Sequence, residues 1–219
     1  MSEIVARGFL FDMDGTLVDT TAQVEKSWLS KAAQFNVNGP ELLKHIHGRT
    51  CLDTLRTHFP VETHTVEYAR AFELECVYES DGIRAVQGAH KVLKLLHPSK
   101  WAVVTAASRT WATVKMGQAG LPAPANLISA ENVEKGKPHP EGYLKGAEIL
   151  QQDIGEIVVF EDAINGVKAG LSAGATVIAV VTSTSRQELI DAGAHYVVDD
   201  FTKISVTVND DLIKIKIQD

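Results

Sequence analysis

Asp12 and Asp14 stand two residues apart in Phe9-Leu10-Phe11-Asp12-Met13-Asp14-Gly15-Thr16. At that spacing both carboxylates can face one cation or one phosphoryl group, and Gly15 permits a tight turn beside them. A capped turn is the ordinary alternative, because aspartate and glycine favour turns. A calcium loop is excluded: counting from Asp12, Leu17 and Gln23 occupy the positions where that loop needs glycine and glutamate. Three further groups end candidate strands or open a helix. Thr105 follows Ala102-Val103-Val104, Lys137 lies in Gly136-Lys137-Pro138-His139-Pro140, and Glu161-Asp162 follows Ile157-Val158-Val159-Phe160. Taken singly, Thr105 reads as a helix cap, Lys137 as a solvated lysine and Glu161-Asp162 as an N-cap. In a parallel sheet such strand ends share one edge. There they converge with Asp12 and Asp14, and the set reads as a site.

The set suits phosphoryl transfer, where charge on three equatorial oxygens makes positioning and electrostatics dominant. Asp12 would attack phosphorus and form an aspartyl phosphate. Asp14 would protonate the leaving alkoxide and then take a proton from the hydrolytic water. Mg²⁺, held by carboxylates including Asp12 and Asp162, would offset the repulsion between a carboxylate and an anionic substrate. Lys137 and Thr105, with Ala106 beside it, would bind the phosphoryl oxygens.

The elements that must position these residues follow from periodicity. Gly8-Phe9-Leu10-Phe11 predicts a buried strand. Val24, Trp28, Ala32 and Phe35 predict a helix that Thr20 and Thr21 can cap, and Asn36 to Pro40 break it. Residues 41–58 predict two shorter helices hinged near Gly48, and Val66, Ala69, Phe72 and Cys76 mark another helical stripe. Residues 18–80 hold no strong strand candidate. After Gly82, helices are expected near 89–96, 114, 140–150 and 163–173. They alternate with strands at 101–105, 127–129, 157–160 and 176–181, which implies parallel βαβ units. Ile204 to Val208 and Leu212 to Ile217 alternate around Asn209-Asp210-Asp211 and predict a hairpin. The expected architecture is α/β, with a Rossmann-like core of residues 1–17 and 82–219 and a helical insert of residues 18–81. Leaving from a strand's carboxyl end, the insert lies over the ligand-binding edge and suits a lid.

Composition narrows the class. The chain has 219 residues, of which 45% are hydrophobic and 22% charged, so it can bury a core. Its net charge of −7 argues against a broad nucleic-acid face. No apolar run approaches the roughly 18–20 residues of a membrane span. The first residues lack a signal-peptide stretch, so the cytoplasm is the expected compartment. Cys51 and Cys76 form no Cys-x-x-Cys pair and read as buried apolar residues.

Phe9 to Asp19 resembles the first motif of the haloacid dehalogenase superfamily. Thr105, Lys137 and Glu161-Asp162 match its second, third and fourth motifs in order, across nearly the whole chain. The resemblance implies a Rossmann-like core with a small helical cap and Mg²⁺-dependent chemistry through an aspartyl phosphate. It also implies a metal contact from the backbone carbonyl at Asp14. Ile46-His47-Gly48-Arg49, Lys100 to Thr105 and Gly136 to Glu141 are similar to segments of bacterial hexitol-phosphate phosphatases and fungal glycerol-3-phosphatases. The fourth motif reads Glu161-Asp162-Ala163-Ile164-Asn165-Gly166. Some members carry another acid where Asn165 or Gly166 stands, so Glu161 ranks below Asp162 as a ligand.

Several patterns are decoys. Gly170-Leu171-Ser172-Ala173-Gly174 matches a serine-hydrolase elbow but has its helix before it and its strand after it, the reverse of the required order. Gly166, Gly170 and Gly174 there are expected to permit close helix–sheet packing. Gly136-Lys137 is no Walker loop, since Glu131 stands at the first glycine position. His45, His47, His58 and His64 crowd the insert without metal spacing. Trp28 and Phe35 read as core of the insert. Arg49, after a glycine in the lid, is a surface residue or a grip on substrate oxygens. The expected function is hydrolysis of small sugar or polyol phosphates by a monomer or weak dimer. A phosphosugar mutase is the alternative, and a non-enzymatic phospho-receiver a weaker one.

Overall fold

The computed structural model describes residues 2–209 and 211–218. Asp210, part of the expected Asn209-Asp210-Asp211 turn, lies outside the described residues. The chain opens with β1 (Ser2–Ala6), β2 (Gly8–Phe11) and β3 (Val18–Asp19), followed by α1 (Thr21–Gln34), α2 (Gly39–Ile46), α3 (Cys51–His58) and α4 (Val66–Cys76). It continues through β4 (Arg84–Ala85), α5 (Ala89–Leu95), β5 (Trp101–Val104), α6 (Arg109–Gln118), β6 (Leu127–Ile128) and α7 (Glu141–Ile149). It ends with β7 (Ile157–Glu161), α8 (Ile164–Ala173), β8 (Thr176–Val180), α9 (Arg186–Asp191), β9 (Tyr196–Val198), β10 (Ile204–Asn209) and β11 (Leu212–Ile217).

A six-stranded parallel sheet in the order β6-β5-β2-β7-β8-β9 organises the molecule. β2 lies at the centre because its residues are apolar on both faces. Phe9 and Phe11 pack with Phe160, Val103, Met116 and Phe201 on one side, and Leu10 packs with Val159, Tyr143 and Ala147 on the other. Full burial of each such side chain contributes about 1.5–3 kcal/mol. The order reverses direction at β2: β5 and β6 extend to one side, and β7, β8 and β9 to the other. Open α/β sheets bind ligands at the carboxyl edge of such a reversal.

The segment between β2 and β5 carries α1 to α4, which share their own core of Trp28, Ala32, Leu42, Ile46, Leu55, Phe59, Ala69 and Phe72. Local chemistry fixes these helices. Asn36 turns the chain with φ 54° after α1, and Gly48 does so with φ 70° between α2 and α3. The side chains of Asn38, Thr50 and Thr65 accept backbone N–H groups at the starts of α2, α3 and α4.

The structure departs from the sequence reading at specific places. Val18–Asp19 is a strand after all, paired antiparallel with Arg84–Ala85, so a short ribbon joins the outgoing and returning chain. Two residues per strand give no readable alternation. Thr20 precedes α1 but makes no side-chain cap bond, because its hydroxyl donates to Asp14 instead. β1, α9 and β9 were not expected. β1 pairs with β11, which also pairs with β10, so the C-terminal hairpin becomes a three-stranded sheet closed by the N-terminal segment. Of the three spaced glycines, two let α8 approach the sheet: Gly170, with Val177 and Val159 against it, and Gly166, with Glu161 of β7 against it. Gly174 instead ends the helix with φ 95°.

Candidate active site

Asp12 directly follows β2, and its backbone N–H donates to Phe160 O at 2.9 Å. The loop then curls back on itself: Leu17 N and Val18 N donate to Met13 O, and Gly15 N donates to Val18 O. Gly15 takes φ 80°, and a Cβ there would lie 2.0 Å from Asp162 Oδ2. Glycine is therefore required twice over, by conformation and by contact.

Lys137 is no solvated loop lysine. Its side chain is 6% exposed. Its ammonium donates to Asp12 Oδ1 at 2.5 Å, Glu161 Oε1 at 2.6 Å and Val104 O at 3.1 Å. An ammonium has three donors, so those contacts account for all of them. Burial disfavours the Lys137 charge, but Asp12 and Glu161 reverse the effect and hold the group firmly protonated. The loop before it is pinned by Glu141, which accepts Glu134 N and Lys135 N at 3.0 Å each and Lys145 Nζ at 2.7 Å.

Glu161 ends β7 with no exposure. Its carboxylate accepts from Lys137, from the Tyr143 hydroxyl and from the backbone N–H groups of Asp162 and Ala163. Asp162 accepts from Thr16 and Thr182 at 3.2 Å and from the Ser183 hydroxyl. Burial pushes the Asp162 carboxyl up to about 7, and Glu161 adds to the push. Burial likewise raises Asp12, against the pull of Lys137, while Glu161 and Asp162 reinforce the rise. Ligand oxygens of Asp12, Glu161 and Asp162 all lie within 4.8 Å of one another. Three carboxylates thus meet one ammonium in a buried space, a charge pattern that fits a divalent cation. Four protein donors saturate Glu161, whereas Asp162 accepts from three, so Asp12 and Asp162 could more readily hold such a cation.

The Asp14 carboxylate is outside that cluster. Its Oδ1 accepts from Thr20 Oγ1 at 2.7 Å and from Trp111 Nε1 at 2.9 Å. Burial raises its carboxyl, and those two donors oppose the rise. Thr105 follows β5, and its hydroxyl oxygen accepts Ala107 N–H at 3.0 Å, leaving its own proton free to donate. A cavity of about 100 Å³ opens above these groups. Asp12, Asp14, Thr105 and Ala106 line it from the sheet, and His47, Gly48, Arg49, Trp28, Phe72 and Glu73 line it from the insert. Lys137 lies behind Asp12, and Asp162 beneath Gly15. The histidines of the insert form no metal cluster among the described residues: His45 lies against Glu41, His47 against Glu25, and His64 against Phe59 O.

Sequence reasoning missed Thr182 and Ser183, although they follow β8 on the same sheet edge and the strand-end rule could have found them. Tyr143 and Trp111 lie inside apolar helical stripes, where nothing in the sequence separates a polar role from packing.

The family model of haloacid dehalogenase-like hydrolases matches residues 6–174. Hexitol phosphatase A of Escherichia coli (strain K12) is 41% identical over 196 residues, covering 86% of this chain and 90% of that protein. The 2-deoxyglucose-6-phosphate phosphatase 1 of Saccharomyces cerevisiae is 35% identical, covering 96% and 94%. Among solved structures, a β-phosphoglucomutase from Clostridium difficile shares the fold at a TM-score of 0.78 and 22% identity, covering 91% of this chain and 93% of that one. With four motif groups gathered on one sheet edge and these relatives matching nearly end to end, the chain belongs to the haloacid dehalogenase-like hydrolase family.

Proposed function

We propose that this protein hydrolyses small sugar or polyol phosphates through an aspartyl-phosphate intermediate on Asp12. The observation that carries the reading is the Asp12 carboxylate, held by Lys137 at the floor of a cavity that Asp14 also lines. Asp12 attacks phosphorus, the bond from phosphorus to the substrate oxygen breaks, and Asp14 gives its proton to the departing alkoxide. Water then attacks the aspartyl phosphate, Asp14 takes a proton from it, and orthophosphate leaves with Asp12 restored. Lys137 favours the anionic form of Asp12 against the effect of burial, and the Thr105 hydroxyl with the backbone at Ala106 donates to phosphoryl oxygens. Asp12 and Asp162, with the carbonyl at Asp14, would hold Mg²⁺, which when bound screens the phosphate charge from the carboxylates.

Residues 18–81 act as a lid over this chemistry, and Arg49 grips substrate oxygens from it. The named activities of the relatives at 41% and 35% identity support phosphatase over mutase, since the mutase likeness at 22% concerns the fold alone. Free Cys51 and Cys76 suit work in a reducing cytoplasm, and the proposal has the enzyme act there as a monomer or weak dimer. No helix among the described residues is long and apolar enough to cross a membrane.

The test is phosphate release over a panel of hexitol, hexose and glycerol-type phosphates. Wild-type protein should turn over at least one. Asp12→Asn should lose turnover by at least about 10³-fold while its circular dichroism is unchanged. Undiminished turnover in that variant would falsify the covalent route.

A further inference from the structure

Asp14 is held in an asymmetric way. Both of its donors, the Thr20 hydroxyl and the Trp111 indole N–H, bind the same oxygen, Oδ1. Two donors occupy the two lone pairs that a carboxyl oxygen offers. A proton placed on Oδ1 would displace one of them, so the neutral acid carries its proton on Oδ2. Thr20 reaches Asp14 from the same loop, six residues on. Trp111 reaches it from α6, 97 residues away, and so fixes the carboxyl relative to the sheet.

Trp111 is itself immobilised. Its side chain is buried, and its backbone N–H donates to Ser108 Oγ at 3.2 Å at the start of α6. One turn further along the same helix, the Lys115 ammonium stands 4.7 Å from the indole centroid. That ammonium is fully buried and held by Glu79 O at 2.6 Å and Gln118 Oε1 at 3.1 Å. A cation over the ring face draws on its π density, which makes the indole N–H a stronger donor. The arrangement runs from a fixed cation through a fixed ring to one oxygen of the proposed acid.

We propose that Trp111 is a positioning residue for Asp14: together with Thr20 it occupies Oδ1 and reserves Oδ2 for the proton given to the leaving alkoxide. This rests on the phosphatase reading above. It makes a demand that packing alone does not. An alkoxide needs that proton, whereas 4-nitrophenolate leaves without one, so loss of the indole N–H must harm alkyl phosphates selectively.

The experiment compares kcat/KM, which reports the steps up to loss of the alcohol. The substrates are 4-nitrophenyl phosphate and whichever alkyl phosphate of the hexitol, hexose and glycerol-type panel the wild type turns over fastest. Two variants are used. Trp111→Phe removes the N–H with part of the ring. Replacement of Trp111 by β-(3-benzothienyl)alanine keeps the bicyclic shape and removes only the N–H, so it carries the test if the first variant folds poorly. The expected result in both is a fall of about 10- to 100-fold for the alkyl phosphate and less than about 3-fold for the aryl phosphate. Equal losses on the two substrates, or no loss on either, overturn the role of Trp111 and leave the phosphatase reading standing. Wild-type protein that releases phosphate from no member of that panel overturns the phosphatase reading, and this inference with it.

Discussion

Gly166 has no side chain, and the Glu161 carboxylate fills the room one would take. A Cβ at Gly166 would lie 1.8 Å from Glu161 Oε1. Glu161 is the hinge of the charged cluster, because the same oxygen accepts from Lys137 and from the Tyr143 hydroxyl while Oε2 accepts two backbone N–H groups. Gly166→Ala must push that carboxylate aside and leave Lys137 with an incomplete partner set. Disrupting a buried pair of this kind costs roughly 3–5 kcal/mol. For a chain of this length that corresponds to a Tm about 6–20 °C lower, measurable by calorimetry. Turnover should fall as well, because Lys137 also holds Asp12. A Tm within about 2 °C of wild type would show that Glu161 has another place to go. Sequence reasoning reads Gly166 both as a glycine for close helix–sheet packing and as a position where some family members carry another acid. Its contact with Glu161 favours the packing reading, because the site requires the absence of any side chain.

α4 meets the sheet edge through Glu73, which lines the cavity. Burial pushes the Glu73 carboxyl up from 4.5 to about 7, against donation from Ser108 at the start of α6, and the Asp14 charge pushes it further up. Between those two values the folded state holds a proton that the unfolded chain has released. Stability therefore falls as pH rises from about 4.5 to about 7, and the contribution is full only below the lower value. A shift of this size is worth about 1–3 kcal/mol. Glu73→Gln removes the titration, so its Tm should decline less between pH 4.5 and 7 than that of wild type. The slope difference, read from melts at several pH values, checks this, and parallel slopes would assign the pH dependence to other groups. α4 itself was legible from its Val66, Ala69, Phe72 and Cys76 stripe. That Glu73 would face a carboxylate of the sheet edge was not, because the stripe says which side of a helix is apolar and nothing about what lies opposite.

Across the whole molecule, the buried cluster of Asp12, Glu161 and Asp162, when all three are ionised, carries two more negative charges than Lys137 neutralises. A ligand that binds only the folded state stabilises it by mass action, about 2.7 kcal/mol at a concentration one hundred times Kd. Mg²⁺ at pH 7.5 should therefore raise Tm by about 5–10 °C, and Asp162→Asn should lose most of that rise. The measurement needs no substrate. A Tm indifferent to Mg²⁺, with other divalent cations active, would keep the site and change the ion.

The amino-acid sequence determined what depends on residue type and local order. The apolar runs made buried strands, their alternation with helical stripes made a parallel sheet, and Asp12, Thr105 and Asp162 fell at strand ends that such a sheet gathers on one edge, with Lys137 in the loop that opens α7. Three of the motifs were legible because each lies within a residue of its strand, and the Lys137 motif because Gly136-Lys137-Pro138-His139-Pro140 marks the loop before a helix. Only the tertiary structure decided which partners those groups take. Lys137 binds Asp12 across 125 positions, Glu161 is saturated while Asp162 is not, and the Asp14 side chain turns from the charged cluster toward Thr20 and Trp111. β1 and the short ribbon of β3 and β4 were hidden for the same reason. Their strands are stabilised by chain segments far away in sequence, and periodicity within a few residues carries no record of a distant partner.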